Sequence, residues 1–212
     1  MFHLRPGALL FLSVMSILSN QTYAAESNHR NLYVDGALGW SNMASAHVNP
    51  YHFKDKQIFG YRISMGYLFP INRSLSLGPE VGYGHYGKLS YTNAVGLISN
   101  YNLAGWDVLA SFKYKPNTEF NLYFKAGAVD LNQRLVIVGP NATPGGFYQQ
   151  VFKPMVVFAA SYNLLKQIEL SLSYTHIFAS KAPLTSSQQF TFTDVNQPCS
   201  VDAVMFGISY FI

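Results

Sequence analysis

Charge is scarce in this sequence. Only 11% of its 212 residues are Asp, Glu, Lys or Arg, whereas a domain surface that faces water carries about 25–35%. Cysteine is nearly missing: Cys199 stands alone, which excludes a disulfide scaffold and leaves an incidental thiol. No lipoprotein anchor is expected either. Past residue 24 no apolar run reaches the roughly 20 residues of a spanning helix, so a helical membrane protein is excluded. Basic clusters are also wanting. The formal charge is +4 with Lys and Arg scattered, which excludes the basic stripe that nucleic acid needs.

Aromatic residues and glycine are abundant instead, with 15 Tyr, 16 Phe and 16 Gly. A chain so poor in charge turns much of its surface toward something other than water. The N-terminus suggests an address. His3 and Arg5 precede the apolar run "GALLFLSVMSIL" (Gly7–Leu18), and Thr22 and Ala24 occupy the −3 and −1 positions of a cleavage site after Ala24. Residues 1–24 therefore read as a secretory signal peptide, and residues 25–212 as one domain.

Within that domain, alternation of period two recurs. It predicts eight strands: Asn31–Trp40, Ile58–Phe69, Ser74–Tyr86, Tyr101–Lys115, Glu119–Val129, Val151–Asn163, Gln167–Ala179 and Val201–Ile212. Each is about long enough to cross a bilayer at a tilt. Short connections (Pro70–Arg73, Pro116–Thr118, Leu164–Lys166) alternate with long ones (Ser41–Gln57, Gly87–Asn100, Asp130–Gln150, Ser180–Ser200). An even strand number with short turns at one end and long loops at the other is the layout of an outer-membrane barrel.

A soluble eight-stranded barrel is the alternative, and the two faces of the strands decide between them. One face is large and apolar, as in Phe59, Tyr61, Ile63, Met65 and Tyr67. The other is small and polar, as in Gly60, Arg62, Ser64 and Gly66. The interior charges Asp35, Arg62, Glu80, Asp107, Lys113, Lys125, Lys153 and Glu169 all fall on the small face, four of each sign. A Lys or Arg facing lipid at mid-bilayer costs about 2–4 kcal/mol. The fold class that follows is all-β: an eight-stranded antiparallel transmembrane barrel, an up-and-down meander. Aromatic girdles agree with it. Tyr67, Phe69, Tyr114, Phe120, Tyr162 and Tyr210 lie near one set of strand ends, and Trp40, Tyr83 and Phe178 near the other.

The segments "GWDVLASFKYKPN" (Gly105–Asn117), "FNLYFKAGAV" (Phe120–Val129), "SLSYTHIFAS" (Ser171–Ser180) and "FGISYFI" (Phe206–Ile212) resemble the small OmpA-like and opacity-type outer-membrane barrels. The resemblance implies a location in the bacterial outer membrane, with lipids and the outer-membrane assembly machinery as partners. It also implies that the outward residues Phe206, Ile208, Tyr210 and Ile212 form a C-terminal assembly signal. The larger members append a peptidoglycan-binding domain; none is expected here.

Eight strands leave a lumen just wide enough for side chains to fill, and unpaired charges there are costly. A salt-bridged polar lumen is therefore expected, in a monomer without cofactor, metal or catalytic residues. Binding then falls to the four long loops, which carry the apolar stretches Val136–Pro140 and Phe190–Phe192 and the charged Lys54–Lys56. They predict a surface-display protein that adheres to a host or neighbouring cell surface. Two alternatives stay open. A narrow, porin-like ion channel would use the lumen. An interfacial lipid A-modifying enzyme would use His176, which has outward parity but no visible outward acid to orient it. His85 reads as interfacial, His47 and His52 lack a third metal ligand, and the Asn141-Ala142-Thr143 sequon carries no weight in such a fold.

Overall fold

The structure, a computed structural model, describes residues 31–44, 52–57, 59–92, 98–139, 142–179 and 200–212. The expected signal peptide, His47 and the fourth long connection as far as Cys199 lie outside them. The described chain is strand throughout, apart from short turns. In chain order the strands are β1 (Leu32–Ala44), β2 (His52–Gln57), β3 (Phe59–Tyr67), β4 (Phe69–Pro70), β5 (Leu75–Thr92), β6 (Ile98–Tyr114), β7 (Phe120–Gly139), β8 (Ala142–Leu165), β9 (Ile168–Ile177) and β10 (Ser200–Phe211).

Every pairing is antiparallel. Around the ring β1 joins β3, β5, β6, β7, β8, β9 and β10, and β10 returns to β1. The barrel is closed with eight strands in its wall. The short β2 and β4 extend the wall position of β3 at its two ends, both pairing with β5. The greasy C-terminal strand is thus paired along both edges, from Tyr33↔Phe211 to Ala44↔Ser200 on one side and from Val201↔Ile177 to Tyr210↔Ile168 on the other. Closure removes the exposed edge that would invite aggregation.

One end of the barrel carries the short turns. Two of them are built alike. The Asn72 side-chain carbonyl accepts from the Ser74 and Leu75 amides at 2.9 Å each. The Asn117 carbonyl accepts from the Glu119 and Phe120 amides at 3.0 and 2.7 Å. A side chain that mimics a backbone turn in this way fixes the strand register that follows.

The loop end departs from expectation. The connections expected at Gly87–Asn100 and Asp130–Gln150 are mostly strand, because β5 and β6 pair as far as Thr92↔Ile98 and β7 and β8 as far as Gly139↔Ala142. Backbone pairing is indifferent to side-chain polarity. The polar residues that mark the edge of the membrane therefore do not mark the end of the strands. β9 starts pairing with β8 only at Met155↔Ile177, so among the described residues β5 to β8 rise beyond the last pairs of β9, β10 and β1.

A bulge in this rise switches the parity of β5. Register shifts between His85 and Gly87, and Gly87 takes a φ of 113°, which a residue with a Cβ rarely adopts. Tyr86 keeps the inward side of Glu80, Gly82 and Gly84 and is fully buried, while the bulge returns Lys88 to the outer face that His85 occupies.

Across its middle the outer face of the barrel is apolar. Leu38, Ile63, Val108, Phe124, Phe158, Leu172 and Phe206 are all exposed there, a surface that only a bilayer satisfies. Replacing Leu172, midway along β9 between Ala160 and Phe206, by Arg is expected to destabilise the barrel by about 2–4 kcal/mol, read as a lower unfolding midpoint in guanidinium for protein refolded into vesicles.

Candidate functional site

The inward face arranges its side chains in layers. Nearest the turn end, the Lys113 ammonium donates to the Glu169 carboxylate. The same carboxylate accepts from the Tyr123 hydroxyl at 2.7 Å and from the Ser161 hydroxyl at 2.8 Å. The Lys113 ammonium also sits 4.4 Å from the centre of the Phe211 ring, an added attraction to the ring face. Outside this layer opens a vestibule of about 1140 Å³, lined among others by Asn72, Arg73, Lys115, Asn163 and Lys166.

Above it, Arg62 clamps two acids. Its Nε and Nη2 donate to Asp107 at 3.0 and 2.5 Å, and Nη2 also donates to Glu80 at 2.7 Å. Its Nη1 reaches the Ser64 hydroxyl at 3.2 Å. The second Glu80 oxygen accepts from Lys125 at 2.7 Å and from the Tyr33 hydroxyl. Glu80, 2% exposed, thereby has three partners drawn from three other strands. Each charge has lost its water, and the bidentate guanidinium contact is the geometry that best offsets that loss. Asp35 lies apart from these ion pairs and accepts from the Ser209 hydroxyl at 2.8 Å. A cavity of about 20 Å³ beside Asp35, Arg62 and Lys125 has room for about one water molecule.

The uppermost layer is apolar, which corrects the expectation of a polar lumen throughout. Tyr86, Leu103, Leu131, Met155, Ile177 and Met205 meet there with almost no exposure. A narrow barrel packs its interior like any protein core, and polar residues are needed only where the chain provides partners. Lys153 is correspondingly outside the clamp. It is half-buried opposite Val129, and no ion pair among the described residues includes it.

The outer face carries the remaining sequence-derived candidates. Trp40, Tyr67, Tyr114, Phe120, Tyr162, Phe178 and Tyr210 are exposed and Phe69 half-buried. Adjacent rings touch, as in Phe120–Tyr162 at 5.3 Å and Tyr67–Phe69 at 4.7 Å between centroids. Phe206, Ile208, Tyr210 and Ile212 line one exposed stripe of the last strand.

His176 requires a second correction. An outward acid does stand beside it: Asp202, its direct neighbour on β10, whose carboxylate lies 2.7 Å from Nδ1. The Tyr174 hydroxyl donates to the same carboxylate oxygen at 2.5 Å, and Phe178 packs edge-on against the imidazole at 4.4 Å. Reading along one strand cannot find a partner that arrives from the next. Among the described residues no Ser or Thr hydroxyl is bonded to His176; Ser180 lies outside them. His85 stacks on Tyr61 at 5.4 Å and bonds Asn102 Oδ1 at 2.8 Å. Among the described residues no cluster of metal-ligating side chains occurs.

Comparison with known proteins now fits this geometry. The family model for the outer membrane protein beta-barrel domain matches residues 8–209. The chain belongs to this family. It is an outer-membrane β-barrel of a Gram-negative bacterium, so the turn end is the periplasmic end and the tall wall is extracellular. No curated protein matches it in sequence. Its fold is similar to that of neisserial surface protein A, NspA, at 12% identity and a TM-score of 0.52 over 85% of this chain and 97% of that one. It is equally similar to Ail, the attachment invasion locus protein of Yersinia pestis, at 13% identity and a TM-score of 0.50 over 86% and 97%; that structure holds the heparin analogue sucrose octasulfate. The outer membrane enzyme PagL also matches, at 10% identity over 85% and 99% and a TM-score of 0.40, too distant to inform on chemistry. These likenesses show the fold alone.

Substituting Arg62 by Ala leaves Glu80 and Asp107 short of a counter-charge inside the barrel. It is expected to cost about 3–5 kcal/mol of stability, against about 1.5–3 kcal/mol for Tyr33→Phe, which removes one bond to a charged acceptor. Guanidinium unfolding of the two variants in vesicles checks the order.

Proposed function

We propose that this barrel is a non-conducting, non-enzymatic scaffold for surface display, and that its extracellular hairpins bring it into contact with another cell surface. The observation that carries this reading is the pairing of a blocked lumen with a tall wall. The ion-pair layer and the apolar layer fill the described lumen with side chains, and the cavity beside Asp35, Arg62 and Lys125 has room for about one water, which counts against a path or a reaction chamber through the body. The strands β5 to β8 meanwhile continue past the last pairs of β9 and β10 to Thr92, Ile98, Gly139 and Ala142, which sets these strand ends well clear of the bilayer. A rigid element that raises variable tips is the usual way in which a scaffold carries binding. The fold it shares with Ail and NspA is consistent with display at the surface.

The same reading includes export by a signal peptide over residues 1–24, cleavage after Ala24, and insertion of a monomer by the outer-membrane assembly machinery through the stripe Phe206–Ile212. The ring contacts at the two membrane boundaries serve to seat the barrel in lipid. The channel alternative draws on the periplasmic vestibule, and the lipid-enzyme alternative on the His176–Asp202 pair. The apolar layer counts against the first, and against the second counts that no hydroxyl among the described residues is bonded to His176.

Two outcomes are expected. Refolded protein in a planar bilayer stays silent across a range of voltages; discrete openings would favour the channel. Bacteria that express the barrel adhere to a cultured epithelial monolayer, and adhesion drops to the vector level when residues 135–146 are replaced by a two-residue turn. Undiminished adhesion by a correctly folded variant would remove display by this hairpin from consideration.

A further inference from the structure

The outer face of the tall wall is graded in a way that the opposite sector is not. Across β5, β6 and β7 the registers set four outward rows one above another. Val81, Val108 and Ala128 form the lowest, in the apolar zone. Tyr83, Trp106 and Asp130 follow, then His85, Ala104 and Asn132, then Lys88, Asn102 and Arg134. Tyr83 and Trp106 pack edge to face at 5.2 Å, and Trp106 is 60% exposed. Lys88 and Arg134 are both exposed, two strand spacings or about 10 Å apart. Between them stands Asn102, its side-chain oxygen bonded to His85. The one acid in these rows, Asp130, is engaged by the Gln150 amide from β8.

The cation row stands four residues beyond Trp106, about 13 Å along a strand and less in height once its tilt is allowed for. Aromatic rings mark the edge of the hydrocarbon, and the headgroup layer above it is about 5–8 Å deep. Lys88 and Arg134 can bend their long stems back toward the membrane and set their charges in that layer. They are carried on paired strand rather than on a loop, so their spacing is set in advance of any ligand. Among the described residues the opposite sector presents nothing comparable: β9, β10 and β1 contain no Lys or Arg, and Asp202 at their rim is tied to His176 and Tyr174.

We propose that this face of β5 to β7 is a binding site for the phosphate-bearing headgroup of an outer-leaflet lipid, with Lys88 and Arg134 as the phosphate contacts, Asn102 as a hydrogen-bonding group between them and Tyr83 and Trp106 against the lipid's apolar shoulder. Anionic lipid then collects on one side of the barrel, under the wall that carries the hairpins, and holds the protein at a preferred rotation relative to the lipids around it.

The chain supplies its own probes, since its two tryptophans, Trp106 and Trp40, lie in the two sectors. Two single-tryptophan proteins, Trp40→Phe and Trp106→Phe, are refolded into phosphatidylcholine vesicles that contain a small fraction of brominated phosphatidylglycerol or, as reference, brominated phosphatidylcholine. A cation near an anionic surface enriches anionic lipid by roughly fivefold. Quenching by the brominated phosphatidylglycerol, relative to the reference lipid, is therefore expected to be at least about twice as strong for Trp106 as for Trp40. Adding Lys88→Gln and Arg134→Gln, both at exposed positions, to the Trp106 protein brings the two ratios together. Equal ratios in the proteins that keep both cations overturn the proposal. So does an excess at Trp106 that survives loss of both cations in a barrel whose heat-dependent gel shift shows it folded.

Discussion

The Arg62 guanidinium between Asp107 and Glu80 is the contact on which the rest of the barrel's interior depends. A ring of eight strands is too narrow to keep water around a charge, so every ionised group inside must find its partner within the wall. Glu80 meets this constraint by serving Arg62, Lys125 and Tyr33 together, which ties β5 to β3, β7 and β1. Glu169 does the same one layer down for Lys113, Tyr123 and Ser161. The two acids thus act as hubs, each fastening distant parts of the wall across the lumen.

Glycine makes the arrangement sterically possible. A Cβ on Gly82 would lie 2.7 Å from the Arg62 guanidinium and 3.0 Å from Asp107, and one on Gly66 would collide with the Tyr33 ring. At these positions the inward face is small because a large neighbour reaches over it. The apolar layer above needs no such pairing. It closes the barrel by packing, and the wall beyond it is left free to carry residues chosen for what lies outside.

Much of this was legible in residue parity. Placing Arg62 opposite Phe59, Tyr61 and Ile63 in period was enough to send it inward, because the cost of a charge in lipid leaves no other solution. The same reasoning collected Asp35, Glu80, Asp107, Lys113, Lys125 and Glu169 in the interior. Lys153 has the inward parity too, yet the clamp does not reach it, because depth along the axis is set by strand stagger and not by alternation. The apolar layer was hidden for a related reason: Leu103, Leu131, Met155 and Met205 come from four strands and only the closed register brings them together. Asp202 became the neighbour of His176 through pairing of β9 with β10, which no single strand reveals. Strand length failed as well. Polar residues at Asp130 and Gln150 mark where lipid ends, whereas the hydrogen-bonded ladder runs on past them.

The most direct test of this account is nitrogen-15 NMR of the Arg62 side chain in refolded protein held in micelles. A guanidinium clamped between Asp107 and Glu80 and shut away from water should give resolved, slowly exchanging Nε–H and Nη–H signals that persist from mildly acid to mildly alkaline pH and vanish in Arg62→Lys. A single averaged, rapidly exchanging signal at the position of free arginine would show a hydrated lumen, and with it the blocked body from which the display function is argued would fall.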